Sequence, residues 1–297
     1  MSSGSTPGGF RPRRSVLYMP SSNQRALEKA KSIPCDGLIL DLEDAVAPDA
    51  KPAARAAACA AAASGDYGRR EVTIRVNGAD TEWHADDLAA ACAAGPDGIV
   101  VPKVSSADDV LALADSMDRH GAPGHTALWA MVETPRAMLH AEEIAAASDR
   151  LTVLVMGTND LAKELYAEHV PGRAPLLTGL SLALLAARAS GRAILDGVFN
   201  DVQDTDGFLA ECRLGREMGF DGKTLIHPGQ VEGANATFAP SEQAVEDARG
   251  IVQAWEDGQN TELGSGVVTY RGRMVESLHV DTARRTLAIH DAIETLG

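Results

Sequence analysis

The stretch TVLVMGTNDLAKEL, residues 152–165, decides the fold. Five β-rich residues, four of them apolar, run into a glycine, then a polar triplet, then a helix-forming segment, which is one strand-to-helix unit. The same unit recurs along the chain. Strand runs are SVLYM (15–19), GLILDL (37–42), VTIRV (72–76), GIVV (98–101), ALWAMV (127–132), TVLVM (152–156), AILD (193–196) and GKTLI (222–226). Helical segments lie between them: QRALEKAKS, the Ala-rich run from Pro52 to Ala63, ADDVLALADSMD, PRAMLHAEEIAAA, LLTGLSLALLAARASG and GFLAECRLGREMG. Eight alternating units predict an α/β fold, a (β/α)8 TIM barrel, with an open doubly wound sheet as the competing arrangement.

The rest of the chain fits this division. A Ser- and Gly-rich tail spans 1–9, the barrel 10–240, and a C-terminal extension 241–297. In the extension, Ser241 can cap a helix with an apolar stripe from Ala244 to Trp255. A Gly-rich link (258–266), a hairpin VVTYRGRMV turning at Arg271 and Gly272, and a last helix from His279 to Leu296 complete it.

The chain has 297 residues, with aromatics at 4% and hydrophobic residues at 45%, so the core is aliphatic, as in helix-covered parallel sheets. A net charge of −15 argues against nucleic acid and anionic membranes as partners. Cys35, Cys59, Cys92 and Cys212 are widely spaced, and the start MSSGSTPGGFRPRR lacks the apolar core of a signal peptide. No run reaches the roughly 20 apolar residues of a membrane span. The expectation is a reduced, cytoplasmic protein. One stretch breaks the acidic pattern: Arg11, Arg13, Arg14, Arg25, Lys29 and Lys31 stand against Glu28 alone.

In a barrel the chemistry sits at the carboxyl ends of the strands. The runs close on Asp41, Glu43 and Asp44; Arg75 and Asn77; Lys103; Glu133; Thr158, Asn159 and Asp160; Asp196 and Asn200; Lys223 and His227. Taken singly, Asp41, Lys103 or Asp196 is a strand end turning polar at water; the set converges on one rim. Glu133 and Asp160 follow adjacent strands and present oxygen ligands suited to Mg²⁺. Asp160 alone would serve equally as a helix cap. Gly157, Thr158 and Asn159 can offer amides to a carboxylate or enolate oxygen. Arg75 suits a bidentate carboxylate contact, or a structural ion pair.

The segments RSVLYMPSS, LDLEDAV, IRVNG, VPKV, VETP, MGTNDLAKEL and FDGKTLIHPGQ, in this order, resemble the citrate lyase β-subunit-like family of the HpcH/HpaI aldolase superfamily. The resemblance implies a trimer or dimer of trimers acting on short 2-hydroxy-acyl-CoA esters with Mg²⁺, or Mn²⁺ in its place. It implies Glu133 and Asp160 as metal ligands, Arg75 as the substrate-binding arginine, Glu43 and Asp44 as the acidic pair near the metal, and Arg14 at the CoA phosphates. The family's carbon–carbon lyases carry Met-Ile-Asp in the C-terminal extension, whose Asp serves a neighbouring subunit's site; here the stretch is Met274, Val275, Glu276. A carboxylate about one methylene further out points to water at the thioester carbonyl. This form resembles the (3S)-malyl-CoA thioesterase branch, with Glu276 as general base. The alternatives are a malyl-, β-methylmalyl- or citramalyl-CoA lyase, or a non-catalytic partner subunit.

Overall fold

A computed structural model describes residues 10–259 and 266–296. The tail over 1–9 and most of the Gly-rich link lie outside the described residues. The described residues form two units, one of Arg13–Phe238 and one that joins residues 10–12 to residues 239–259 and 266–296. The sequence-based boundaries at 10 and 240 therefore shift by two or three residues.

In the first unit, strands β1 (Ser15–Pro20), β2 (Gly37–Asp41), β3 (Glu71–Arg75), β4 (Gly98–Val101), β5 (Ala127–Val132), β6 (Leu151–Met156), β7 (Ala193–Asp196) and β8 (Gly222–Leu225) close a barrel in chain order. Every pairing is parallel, and β8 returns to β1. The open-sheet alternative is thereby excluded. The helices are α1 (Gln24–Ala30), α2 (Lys51–Ala63), α3 (His84–Ala94), α4 (Ala107–Arg119), α5 (Pro135–Leu139), α6 (Ala141–Ala146), α7 (Thr158–Glu164), α8 (Leu177–Ala189), α9 (Thr205–Met218) and α10 (Val231–Phe238). The single helix expected over PRAMLHAEEIAAA is two, because His140 leaves the helical region (φ −112°, ψ 16°).

Alternation along each strand splits the core in two. Val16, Ile39, Val100, Trp129, Met131, Val153, Val155 and Leu195 fill the barrel interior. Residues such as Leu38, Leu40, Ile74 and Leu154 face the helices. Both faces are buried, so the strands read as continuous apolar runs.

Two cross-strand ion pairs show what this pleat does to strand ends. Asp41 and Arg75 are register partners on β2 and β3 and meet inside the barrel. Asp196 and Lys223 are register partners on β7 and β8 and meet against the helices, where Arg173 and Glu211 join them. Asp196 and Lys223 are fully buried. Burial alone would push the Asp196 carboxyl up, but Lys223 and Arg173 overcome it and hold the group below its ordinary value. These two residues lock the barrel wall to α9 and do not face the rim.

The second unit holds α11 (Glu242–Gln259), strands β9 (Val268–Tyr270) and β10 (Arg273–Val275), and α12 (Ser277–Leu296). Ser241 caps α11 through its hydroxyl, which accepts the Ala244 amide at 3.1 Å. The hairpin turns at Arg271 and Gly272, as read from the sequence. No helix among the described residues is long and apolar enough to cross a membrane.

Candidate active site

The carboxyl rim of the barrel is organised around the Arg75 guanidinium. Its Nε and Nη2 donate to the two Asp41 oxygens at 2.6 and 2.7 Å. Its Nη1 lies 2.8 Å from Glu43 Oε2 and 3.5 Å from Asp44 Oδ2, and the Tyr18 ring packs 4.7 Å from its centre. Arg75 is 7% exposed, and the surrounding carboxylates hold it charged against the pull of burial. Asp41, which looked like an ordinary strand end, is thus the main anchor of Arg75. It also accepts the Glu43 and Ala45 amides at 2.9 and 3.1 Å, which shapes the turn after β2.

Glu43 is partly buried and Asp44 largely exposed. Burial pushes the Glu43 carboxyl up to about 7, with Asp44, Glu133 and Asp41 adding to the rise. Arg75 opposes the shift, but its charge is already shared with Asp41.

Glu133 follows β5 and is 1% exposed. Its Oε1 accepts the Lys103 amide at 2.7 Å, and Lys103 adopts a left-handed conformation (φ 58°) to present that amide. Such a conformation costs a non-glycine residue roughly 1–2 kcal/mol. Burial, and then the Asp160 carboxylate, push Glu133 up to about 7. Gly157, at the end of β6, makes room for it: a Cβ there would lie 2.9 Å from Glu133 Cδ and nearer still to Oε2 and Cβ. Asp160 is not spent as a cap, since Gly157 holds the cap position of α7 and Asp160 lies inside the first turn. Thr158 is buried, while Asn159 exchanges side-chain amide bonds with Asn200 at 3.1 and 2.7 Å.

Two carboxylates of this edge, buried Glu133 and half-buried Asp160, could hold a cation and leave coordination positions to water and substrate. Among the described residues no cluster of three or more His, Cys, Asp or Glu side chains gathers to hold a metal. Two carboxylate donors are a set that a hard, strongly hydrated ion can use, and their chemistry fits Mg²⁺.

Arg14 corrects the sequence reading. It precedes β1 and therefore sits at the amino end of the barrel, opposite the rim, where its guanidinium donates to both Asp36 oxygens at 2.8 and 2.7 Å. Arg13 likewise pairs with Glu71 at that end and packs over Trp129. Lys31 pairs with Glu28 and Asp66. Of the basic stretch, Arg25 and Lys29 remain exposed on α1, which leaves the carboxyl end of β1.

Glu276, in the second unit, lies between β10 and α12 and is partly exposed; exposed Met274 and Leu278 flank it. Its amide donates to His279 Nδ1 at 3.0 Å. Arg271 pairs with Glu246 and Asp247 of α11, and Tyr270 fills the space beside Gly250, so the hairpin before Glu276 is fastened to α11.

Residues 14–228 match the model of the HpcH/HpaI aldolase/citrate lyase family. The chain is 52% identical over 286 residues to a (3S)-malyl-CoA thioesterase of Cereibacter sphaeroides, covering 96% of this chain and 97% of that one. It is 36% identical over 283 residues to the citrate lyase subunit beta of Escherichia coli, covering 94% and 93%. Its fold resembles the crystal structure of the protein CitE from Mycobacterium tuberculosis in complex with magnesium, acetoacetate and coenzyme A, with a TM-score of 0.74, 30% identity, and coverage of 94% of this chain and 98% of that one. On the barrel, its rim and these matches together, the chain belongs to the HpcH/HpaI aldolase/citrate lyase family.

Proposed function

We propose that the protein is an enzyme that hydrolyses (3S)-malyl-CoA to malate and CoA. The observation that carries this reading is the placement of two carboxylates, Glu133 and Asp160, beside a preorganised guanidinium at one barrel rim. It is supported by the 52% identity to a malyl-CoA thioesterase against 36% to a citrate lyase subunit. Glu133 and Asp160 would hold Mg²⁺, which supplies Lewis acidity and orientation to an oxygen-rich substrate end. Arg75, fixed by Asp41, Glu43 and Tyr18, binds the malyl carboxylate. Gly157, Thr158 and Asn159 line the same edge, and Glu43 faces it paired with Arg75. Exposed Arg25 and Lys29, rather than Arg14, take the CoA phosphates.

Hydrolysis needs a base for water. In this reading Glu276 takes a proton from water as its oxygen bonds to the thioester carbonyl carbon. The carbon–sulfur bond then breaks, and the proton passes to the departing thiolate. Glu276 serves a neighbouring subunit in a homotrimer or dimer of trimers; the exposed apolar Met274 and Leu278 beside it suit docking onto another surface. Turnover in ¹⁸O-water tests the reaction: one solvent oxygen enters the malate carboxylate. Malate free of label, or no thiol released, overturns it.

A further inference from the structure

Lys51 opens the Ala-rich helix α2, where a lysine is ordinarily a solvated residue. Here it is 5% exposed. Its ammonium donates to the Leu42 carbonyl at 2.9 Å, the Glu43 carbonyl at 3.0 Å and Asn77 Oδ1 at 2.6 Å, and lies 4.8 Å from the centre of the Trp83 ring. All three ammonium protons thus have an acceptor. None of these acceptors is a carboxylate. A buried carboxylate, Asp87, enters the network through Asn77, whose Nδ2 donates to Asp87 and to the Leu42 carbonyl; Arg55 already pairs with Asp87. A buried cation answered by dipoles rather than by an ion pair is a costly device for stability alone.

What the device holds is the turn after β2. Its amides are gripped from inside the barrel by Asp41, and its carbonyls from outside by Lys51 and Asn77. The Glu43 amide is bound by Asp41, its carbonyl accepts from Lys51 and from the Val46 amide at 3.1 Å, and its side chain meets Arg75. We infer that Lys51 is a positioning residue: by holding the Leu42 and Glu43 carbonyls, it fixes the turn that aims Glu43 at Arg75 on the rim. The inference rests on the reading of that rim as the site of thioester hydrolysis.

Lys51→Met keeps the length of the side chain and removes the donors. The expected result is a kcat lowered by about 10- to 100-fold, with KM and Mg²⁺ affinity within about threefold of the parent, because Glu133 and Asp160 follow other strands, β5 and β6, and only the aim of Glu43 changes. Crossed with Glu43→Gln, the substitution should cost no further rate, since a misaimed carboxylate and an absent one are the same defect. Independent, multiplicative losses in the double variant overturn the assignment, as does a KM that rises in step with the fall in kcat. Lys51→Arg keeps donors and should recover part of the rate in the Glu43 parent and none in the Glu43→Gln background. It is read in the same way if Lys51→Met does not fold. A parent enzyme that releases no thiol refutes the hydrolytic reading itself. A crystal structure of Lys51→Met then decides the positioning role alone: Glu43 swung away from Arg75 supports it, and Glu43 still paired with Arg75 overturns it.

Discussion

Gly157→Ala tests the proposed cation site at Glu133. A Cβ at this position would lie 2.9 Å from Glu133 Cδ and nearer to Glu133 Oε2 and Cβ. Carbon atoms pack at about 3.5–4.0 Å, so the overlap is about 1 Å or more. Rotating the Glu133 side chain cannot relieve it, because Glu133 Cβ is itself one of the clashing atoms and its position is set by the β5 backbone. The strand end, or the Gly157 turn, must move by a comparable amount. A 1 Å error in a site of this kind costs about 10²-fold in rate, equivalent to about 2.7 kcal/mol at the transition state. Overpacking lowers stability by about 1–3 kcal/mol as well. The assay is calorimetric Mg²⁺ titration beside thioester turnover, with thermal midpoints recorded. Gly124→Ala is the control, since nothing lies within 4 Å of its added Cβ. Mg²⁺ affinity and kcat/KM equal to those of the parent in a folded Gly157→Ala protein would refute the packing of Glu133 against Gly157 as the basis of the site.

Other outcomes follow from the same geometry. Arg75→Lys keeps the charge but loses the fork that spans Asp41 and reaches Glu43, so kcat/KM should fall by about 10²-fold, measured by thiol release. Glu276→Gln should lower kcat by about 10²- to 10⁴-fold while calorimetry finds Mg²⁺ binding unchanged; mixed oligomers of Glu276→Ala and Asp160→Ala chains should regain activity if the two residues serve one site from different chains. Asp196 has a depressed folded-state value, so its contribution to stability is present above the ordinary aspartate range and is lost as pH falls through the folded-state value. Asp196→Asn should therefore flatten the acid limb of stability against pH, read by denaturant midpoints. It should also leave Lys223 and Arg173 with Glu211 as their one remaining carboxylate, and so lower stability.

The barrel was legible because each strand run is bounded by turn residues and followed by a helix-forming segment, and the candidate rim residues were legible as the polar closures of those runs. The inward or outward sense of each closure was not. Asp41 and Asp196 both end apolar strands, yet one anchors Arg75 inside the barrel and the other braces α9 outside it. Strands buried on both faces carry no alternation to separate the two cases; only the register does. Arg14 failed for a related reason. The motif RSVLYMPSS spans a whole strand, so its two ends lie at opposite ends of the barrel, and the arginine is at the wrong one. Lys51 gave no signal, since a lysine opening an Ala-rich helix looks solvated until the turn it supports is seen.

The most direct test incubates (3S)-malyl-CoA with the purified protein and Mg²⁺, and measures free thiol, malate, glyoxylate and acetyl-CoA together. Hydrolysis at this rim predicts thiol and malate in equal amounts, with no glyoxylate. Glyoxylate and acetyl-CoA in stoichiometric yield would contradict it and make the same site a carbon–carbon lyase.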